Sequence, residues 1–364
     1  MTASARAMVF EHQGQPLQLQ HFELPKLGPG EILVKVRMTT LCGSDLHTFQ
    51  GHRDTPRPTV LGHEILGTIA ELPPAGQATD AAGRPLSIGD RITWSVAAHC
   101  GECFFCQRDL PQKCERLFKY GHEQIRTGHA LSGGLADHCH LVAGTSIFRV
   151  PADLDDRVAC PANCATATVV AALRAAGNCE GEVVLIQGAG MLGLTTAALA
   201  RSQQAREVIV CDVDDQRLRR AEQFGATQTV RVEPDNQALQ AIVMETTCQR
   251  GVDLVLELSG SPDATETGLQ LLRTGGRYIW VGAVFPTRPI SLSPETVVRS
   301  MLKIQGVHNY TPVDLSDALT FLETHHQEFP FAELVSKSFG LEEANTAFQQ
   351  AADSGSLRVS VCPE

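Results

Sequence analysis

The sequence lacks any apolar run that approaches the roughly 20 residues a membrane-spanning helix needs. Its first residues, MTASARAMVFEHQ, contain no hydrophobic stretch of signal-peptide length before the charged residues begin. We therefore expect a cytoplasmic protein with no membrane partner, in a compartment that keeps thiols reduced. Internal repeats and low-complexity tracts are also missing.

Basic residues are scarce relative to acidic ones. The 364 residues include 30 Lys and Arg against 41 Asp and Glu, for a formal net charge of −11. This balance argues against a nucleic-acid partner, because no basic surface is concentrated enough to neutralise a phosphate backbone. A small anionic ligand stays open, since two or three local cations suffice for it. The length predicts two domains.

Two patterns divide the chain. Up to about residue 160, short alternating segments such as EILVKVRMTT are punctuated by Gly and Pro, which predicts an irregular, largely antiparallel β domain. From 161 to 308, strands such as EVVLIQG and EVIVCD alternate with helices such as LGLTTAALARSQ. That alternation is typical of a doubly wound parallel sheet. Two amphipathic helices and a strand, LRVSV, follow in 309–364.

The segment GAGMLG, from Gly188 to Gly193, has the spacing of a dinucleotide-binding turn. It follows a predicted strand and opens a predicted helix, which is the context that this motif requires. Gly188 permits the tight turn, Gly190 lets the backbone approach a pyrophosphate, and Gly193 allows close helix–strand packing. The helix N-terminus then favours the anion.

Asp212 ends the next predicted strand. A carboxylate there can bind the ribose hydroxyls and would repel a 2′-phosphate, which favours NAD over NADP. Arg217 and Arg219 lie nearby and weaken that preference.

Four of the twelve cysteines lie close together in CGECFFCQRDLPQKC. Cys100, Cys103, Cys106 and Cys114 can complete a tetrahedral zinc shell with no open position, so this lobe, about 98–118, is predicted to be structural. A thioredoxin-like redox role is disfavoured because the surroundings are loop, and a nucleic-acid zinc finger because no basic helix is presented.

A second set of possible metal ligands is dispersed along the chain. Cys42, His63 and Glu64 offer donors that suit zinc, and a catalytic zinc uses three protein ligands with one open position. The third ligand is Cys164 or its rival Cys160.

These motifs, with CGSDLH, LGHEILGTI, GDRI, GGLADH and LEEANTAFQQAADSGSLRVSV, make the whole chain resemble the zinc-containing medium-chain alcohol and polyol dehydrogenases. The resemblance implies a GroES-like catalytic domain over 1–160 and 309–364. It also implies an inserted Rossmann-type NAD domain over 161–308, with the active site in the cleft between them. Relatives form homodimers or homotetramers.

The resemblance also implies site residues. Cys42, His63 and Cys164 match the catalytic zinc ligands, Glu64 a glutamate that approaches the metal during ligand exchange, and Asp45 the carboxylate that orients the His63 ring. A separate group matches the proton relay and the residues around the cofactor: Ser44 and His47 (relay, through the cofactor ribose), Thr168, Val281 and Ala283 (nicotinamide), and Arg358 (pyrophosphate).

The implied activity is reversible hydride transfer between a primary or secondary alcohol and NAD, with two zinc ions per subunit. A non-catalytic zinc-bearing binding protein is the alternative from another class. The retained Cys42, His63 and Cys164 disfavour a zinc-free reductase.

The substrate class stays open. The segments LPQKC, KYGHE and CATAT are similar to a bacterial subgroup associated with phosphonate breakdown. Arg53, Lys119 and His122 can recognise an anionic group on an alcohol. Alternatively, they are solvated loop residues that pair locally with Asp54 or Glu123.

Overall fold

A computed structural model describes residues 4–73, 78–353 and 357–363. The chain divides into two compact units. The first comprises Met1–Cys164, Thr311–His326 and Phe331–Glu364, and the second comprises Ala165–Tyr310 and Gln327–Pro330. The domain limits expected from the sequence, at 160/161 and 308/309, stay predictions.

The first unit is built mainly from short strands. Its elements before the second unit are β1 (Ser4–Phe10), β2 (Gln18–Glu23), β3 (Ile32–Thr40), α1 (Gly43–Phe49), β4 (Thr59–Val60), β5 (Glu64–Glu71), β6 (Arg91–Trp94), β7 (Ala97–Ala98), β8 (Phe118–Lys119), β9 (His138–Leu141), β10 (Ile147–Arg149) and α2 (Asp156–Ala159). Short 3₁₀ helices cover Cys106–Arg108, Pro111–Lys113 and Cys160–Asn163.

The second unit alternates helices and strands, as the sequence predicts. Its elements are α3 (Ala165–Ala176), β11 (Val183–Gln187), α4 (Met191–Ser202), β12 (Glu207–Asp212), α5 (Asp215–Gln223), β13 (Gln228–Arg231), α6 (Gln237–Thr246), β14 (Val252–Glu257), α7 (Pro262–Leu271), β15 (Leu272–Trp280), α8 (Pro294–Arg299) and β16 (Lys303–Gly306). Helix α3 ends at Ala176, because the next residue, Gly177, adopts the left-handed φ of 82°.

The C-terminal segment rejoins the first unit. Its elements are α9 (Pro312–His325), β17 (Val335–Gly340), α10 (Ala344–Asp353) and β18 (Arg358–Cys362), with 3₁₀ helices at Phe331–Leu334 and Leu341–Glu343.

The main sheet of the first unit has the strand order β10-β6-β5-β3-β18-β17, and β9 also pairs with β3. Its pairings are antiparallel except for β17 with β18. The C-terminal strand β18 therefore lies beside β3, near the start of the chain. Buried Ile65, Trp94 and Tyr120 belong to the core on this sheet, and Phe348 of α10 stacks on Phe49 of α1 with ring centroids 4.5 Å apart.

The second unit contains one six-stranded sheet in the order β13-β12-β11-β14-β15-β16. All of its pairings are parallel. The central strand β11 is buried at every position, because helices cover both faces of such a sheet. The strand ends at Gln187, directly before the glycine-rich turn.

Within the described ranges, no single helix is long and apolar enough to cross a membrane. The bent pair Asp156–Asn163 and Ala165–Ala176 reaches the required length and apolar character only when its two segments are taken together.

Candidate active site

The ends of two neighbouring strands bring Cys42 and His63 together. Strands β3 and β5 are antiparallel, and Thr40 lies directly opposite Glu64. Cys42 follows the end of β3, and His63 precedes the start of β5. Residues that are far apart in sequence therefore leave the sheet at the same edge.

Asp45 locks these two residues in place. Its carboxylate accepts hydrogen bonds from the Cys42 backbone N–H at 3.0 Å, the Gly62 N–H at 3.3 Å and His63 Nδ1 at 3.1 Å. The side chain of Asp45 is fully buried, so these bonds replace its lost hydration. A carboxylate acceptor at Nδ1 holds a proton there, so Nε2 is the ring nitrogen that can bind a metal.

Cys164 reaches the same point from the end of a 3₁₀ helix. The side-chain amide of Asn163 donates to the carbonyls of His63 at 3.2 Å and Trp94 at 3.0 Å, which anchors the residue before Cys164. The sulfur of Cys164 lies 3.3 Å from His63 Nε2. The rival Cys160 instead turns its sulfur towards the carbonyls of Met38 and Glu64, outside the group of donors. Asn163 carries no sequence signal that marks it as an anchor.

The donor atoms of Cys42, His63, Glu64 and Cys164 all lie within 4.8 Å of one another. Zinc binds sulfur at about 2.3 Å and histidine nitrogen at about 2.0–2.1 Å, so tetrahedral ligands lie about 3.6 Å apart. Two thiols and an imidazole at this spacing fit zinc, and three protein donors leave one position for a substrate oxygen.

The charges around this group favour a thiolate at Cys42 and a protonated ring at His63. Although burial disfavours its charged form, the Asp45 carboxylate and a hydrogen bond that the ring donates to Cys42 raise the pKa of His63 to about 10. A hydrogen bond from Cys164 and the positive charge of Arg358 lower the pKa of Cys42. Metal binding at this site therefore displaces protons.

Arg358 is held by Glu64. Its Nε and Nη2 atoms donate to the two carboxylate oxygens at 2.8 Å each, and Nη2 also lies 3.4 Å from the Cys42 sulfur. The pairing of Ser360 with Thr40 sets this arrangement, because the same register carries Arg358 opposite Cys42. Thr40 gives Glu64 a further hydrogen bond at 2.6 Å. The role of Arg358 towards a cofactor pyrophosphate stays a prediction.

The two residues predicted for proton transfer lie on α1. Ser44 Oγ is 3.5 Å from His63 Nε2, beside the donor group. The His47 ring lies 5.7 Å from the ring of His52, between centroids. Burial and the nearby His52 lower the pKa of His47, which favours the neutral imidazole that can accept a proton.

The four clustered cysteines form a second donor group. The sulfur of Cys100 lies 3.5 Å from Cys114 and 4.0 Å from Cys106, and Cys103 lies 3.9 Å from Cys114. Tetrahedral zinc with bonds of about 2.3 Å spaces its sulfurs about 3.8 Å apart, so this set fits zinc. Four thiolates leave no position for a substrate. All twelve cysteines are free of disulfides.

The glycine-rich turn has the geometry of a dinucleotide cradle. Gly188 has a φ of +100°, and a Cβ on Gly193 would lie 1.8 Å from the Gly188 carbonyl oxygen. Only glycine fits there. A Cβ on Gly190 meets nothing within 4 Å, so its open side admits an approaching phosphate.

Asp212 lies directly beneath this turn. It accepts the Ala189 N–H at 2.6 Å and the Asp214 N–H at 3.0 Å, and the Arg217 guanidinium is 4.0 Å away. Three residues predicted to flank the nicotinamide also lie in the second unit: half-buried Thr168 on α3, buried Val281 and exposed Ala283. No direct contact joins them among the described hydrogen bonds.

An antiparallel β unit with a cysteine–histidine donor group, in the same chain as a parallel α/β unit with a dinucleotide turn, defines a zinc-type dehydrogenase. Two family models agree: "Alcohol dehydrogenase GroES-like domain" matches residues 28–152, and "Zinc-binding dehydrogenase" matches 192–324. The chain belongs to the zinc-containing medium-chain alcohol and polyol dehydrogenase family. It is an oxidoreductase with a GroES-like domain and a Rossmann-type domain, as the resemblance predicts.

Individual relatives match over almost the full length. A 5-exo-hydroxycamphor dehydrogenase from Pseudomonas putida is 30% identical over 357 residues, which cover 95% of each chain. The solved structure of an alcohol dehydrogenase from Thermotoga maritima is 31% identical, covers 100% of both chains and has a TM-score of 0.92. A zinc-binding dehydrogenase structure from Sinorhizobium meliloti, bound to NADP, is 26% identical with full coverage of both chains and a TM-score of 0.86.

The two glycines of the turn give a matched test. Gly193→Ala forces its Cβ against a backbone carbonyl and should lower the free energy of unfolding by about 1–3 kcal/mol, as overpacking does. Gly190→Ala should leave thermal unfolding unchanged and weaken NADH binding about tenfold, which corresponds to about 1.4 kcal/mol. Thermal denaturation and NADH fluorescence titration measure both. Equal effects of the two substitutions on stability would contradict this account of the turn.

Proposed function

We propose that this protein is a zinc-dependent alcohol dehydrogenase that reversibly transfers hydride between a primary or secondary alcohol and NAD. The main support for this proposal is that the donor atoms of Cys42, His63 and Cys164 lie within 4.8 Å of one another. Asp45 supports the arrangement through its hydrogen bond with His63 Nδ1. The second candidate, an alcohol with an anionic group such as a phosphonate, is favoured by Arg53, Lys119 and His122.

In the mechanism, the chain holds the metal and handles the proton. When bound, zinc supplies the Lewis acidity that lowers the pKa of an alcohol oxygen, and NAD accepts the hydride. Cys42, His63 and Cys164 provide three ligands, and Asp45 keeps the His63 ring aligned. Ser44 accepts the alcohol's proton as its own hydroxyl proton leaves towards His47, which is partly exposed and releases a proton to solvent.

Glu64 has a different place in the mechanism. Its carboxylate is buried within reach of the metal ligands and receives three hydrogen bonds from Arg358 and Thr40. We infer that Arg358 holds Glu64 back from the metal until the ligands exchange.

The cofactor assignments extend the same proposal. Gly188, Gly190 and Gly193 receive the pyrophosphate, and Asp212 binds the adenosine ribose. A structural zinc in the four-cysteine lobe brings the count to two per subunit. The nicotinamide contacts of Thr168, Val281 and Ala283, the homodimer or homotetramer and the cytoplasmic location stay predictions.

Metal removal and ligand substitution test the chemistry. A panel of primary and secondary alcohols should yield NADH, a chelator should abolish turnover, and added zinc should restore it. Cys42→Ser and His63→Ala should each lower kcat/KM by about a thousandfold or more, because several kcal/mol of Lewis-acid stabilisation disappear.

The cysteines supply their own controls. Cys103→Ser should remove one zinc and lower the unfolding temperature, because structural zinc contributes directly to folding. Cys248→Ser, at an exposed site outside both donor groups, should change neither zinc content nor rate. Unchanged turnover in Cys42→Ser that still binds NAD would contradict the mechanism. No turnover of any alcohol would favour the non-catalytic alternative.

Asp212 tests the choice of cofactor. Asp212→Ser removes the charge that repels a 2′-phosphate and frees Arg217, 4.0 Å away, to contact it. The ratio of kcat/KM for NAD to that for NADP should fall at least about tenfold, equivalent to about 1.4 kcal/mol. Asp153→Ser on the surface of the first unit should leave the ratio unchanged. A wild-type enzyme that prefers NADP would refute the assignment.

A further inference from the structure

A tight turn packs against the candidate metal ligands. The N–H of His122 bonds to the Lys119 carbonyl at 3.1 Å, and Gly121 between them has a φ of +74°. A Cβ on Gly121 would lie 2.8 Å from the Gly62 oxygen and 3.0 Å from the His63 Cβ. The turn therefore lies directly on the chain segment that carries His63.

Further bonds keep this turn in place. The Ile125 N–H bonds to the Pro58 carbonyl at 2.8 Å, and Gln124 donates its side-chain amide to the Arg57 carbonyl at 2.7 Å. The ring of His122 lies 5.3 Å from that of His63, between centroids.

The structure does not show ion pairs of Arg53 with Asp54 or of Lys119 with Glu123. Such local pairs would have made the two residues ordinary loop cations. Asp54 contacts Arg57 at 3.5 Å, and Glu123 accepts the backbone N–H of Lys119 at 2.9 Å rather than its ammonium group. Across residues 4–73, 78–353 and 357–363, no carboxylate pairs with the Arg53 guanidinium or the Lys119 ammonium. Both side chains are only partly exposed.

Arg53 and Lys119 lie near enough to influence each other electrostatically. Burial and the positive charge of Arg53 lower the pKa of Lys119, and the charges of Cys164 and Asp45 oppose this shift. Two cations that repel each other beside a metal centre are stabilised by an anion between them.

The negative groups at the proposed zinc site already have other partners. A divalent zinc balances the thiolates of Cys42 and Cys164, and Glu64 balances Arg358. The oxygens of Asp45 are occupied by hydrogen bonds with Cys42, Gly62 and His63.

His122 provides an independent sign of a ligand. Its side chain is 6% exposed, and its Nδ1 atom is buried without a hydrogen-bond partner among the described residues. An unsatisfied buried polar atom costs about 1–3 kcal/mol, which a ligand oxygen can offset.

We propose that Arg53, Lys119 and His122 bind an oxyanion carried by the substrate, so that the preferred alcohol bears a phosphonate, phosphate or carboxylate group. This inference rests on the proposed dehydrogenase function and names its substrate class. Arginine and lysine supply charge-assisted hydrogen bonds to such a group, and His122 supplies a neutral donor or acceptor.

The test compares matched alcohols on the zinc-loaded enzyme with NAD. The probes are 2-hydroxyethylphosphonate, 3-hydroxypropionate and uncharged propan-1-ol. The wild type should prefer at least one anionic alcohol about tenfold or more in kcat/KM. The relative rates with phosphonate and carboxylate show which oxyanion the site takes.

Substitutions connect that preference to these side chains. Arg53→Gln and Lys119→Gln should each lower kcat/KM for the anionic alcohol about 10- to 100-fold, the range for a lost charged hydrogen bond of about 1.5–3 kcal/mol. The rate with propan-1-ol should change less than about threefold. Lys26→Gln removes the same charge from an exposed site and should have no effect.

Direct binding gives a readout that does not depend on turnover. Calorimetry should detect methylphosphonate or acetate binding to the wild type, and Lys119→Gln should weaken it about tenfold or more. NADH affinity, zinc content and unfolding temperature should match the wild type in Arg53→Gln and in Lys119→Gln.

The outcomes separate the two proposals. Turnover of propan-1-ol with no anion preference, or equal losses on all three alcohols, overturns the anion site and leaves the dehydrogenase intact. Weakened NADH binding in the variants would assign these cations to the cofactor and also overturn it. Failure of all alcohols, with methylphosphonate still bound through Lys119, would instead refute the dehydrogenase.

Discussion

Asp45 is a fully buried carboxylate that ties together two separate stretches of backbone and one metal-ligating ring. It accepts hydrogen bonds from the Cys42 N–H, the Gly62 N–H and His63 Nδ1. A buried charge of this kind is stable only when it is fully hydrogen-bonded, so the end of β3 and the start of β5 cannot separate without exposing it. The position of the reactive donors follows from this single side chain.

The C-terminal strand adds the other buried charge pair. Arg358 and Glu64 neutralise each other beside Cys42, and their contact depends on the pairing of β18 with β3. Breaking such a pair by removing one partner leaves an uncompensated charge. The last strand therefore contributes to the electrostatics of the metal centre as well as to the sheet.

Local features could be predicted from the sequence, and contacts between distant residues could not. The four-cysteine lobe and the turn at Gly188 are readable because their residues are close in sequence and their spacing reflects known geometry. The residues alone left Cys160 and Cys164 as rivals, and the hydrogen bonds around the 3₁₀ helix place the Cys164 sulfur beside His63. The pairing of Arg358 with Glu64 depends on strand register, which periodicity does not reveal. Likewise, the burial of His122 depends on the close packing of Gly121 on Gly62.

Diffraction at the zinc absorption edge tests the central claim most directly, because it locates the metal independently of activity. Crystals of the active, zinc-loaded enzyme should show an anomalous peak within about 2.0–2.3 Å of Cys42, His63 and Cys164. A second peak should lie among the four clustered cysteines. An active enzyme with zinc only in the cysteine cluster, or with zinc bound through Cys160, would contradict the account.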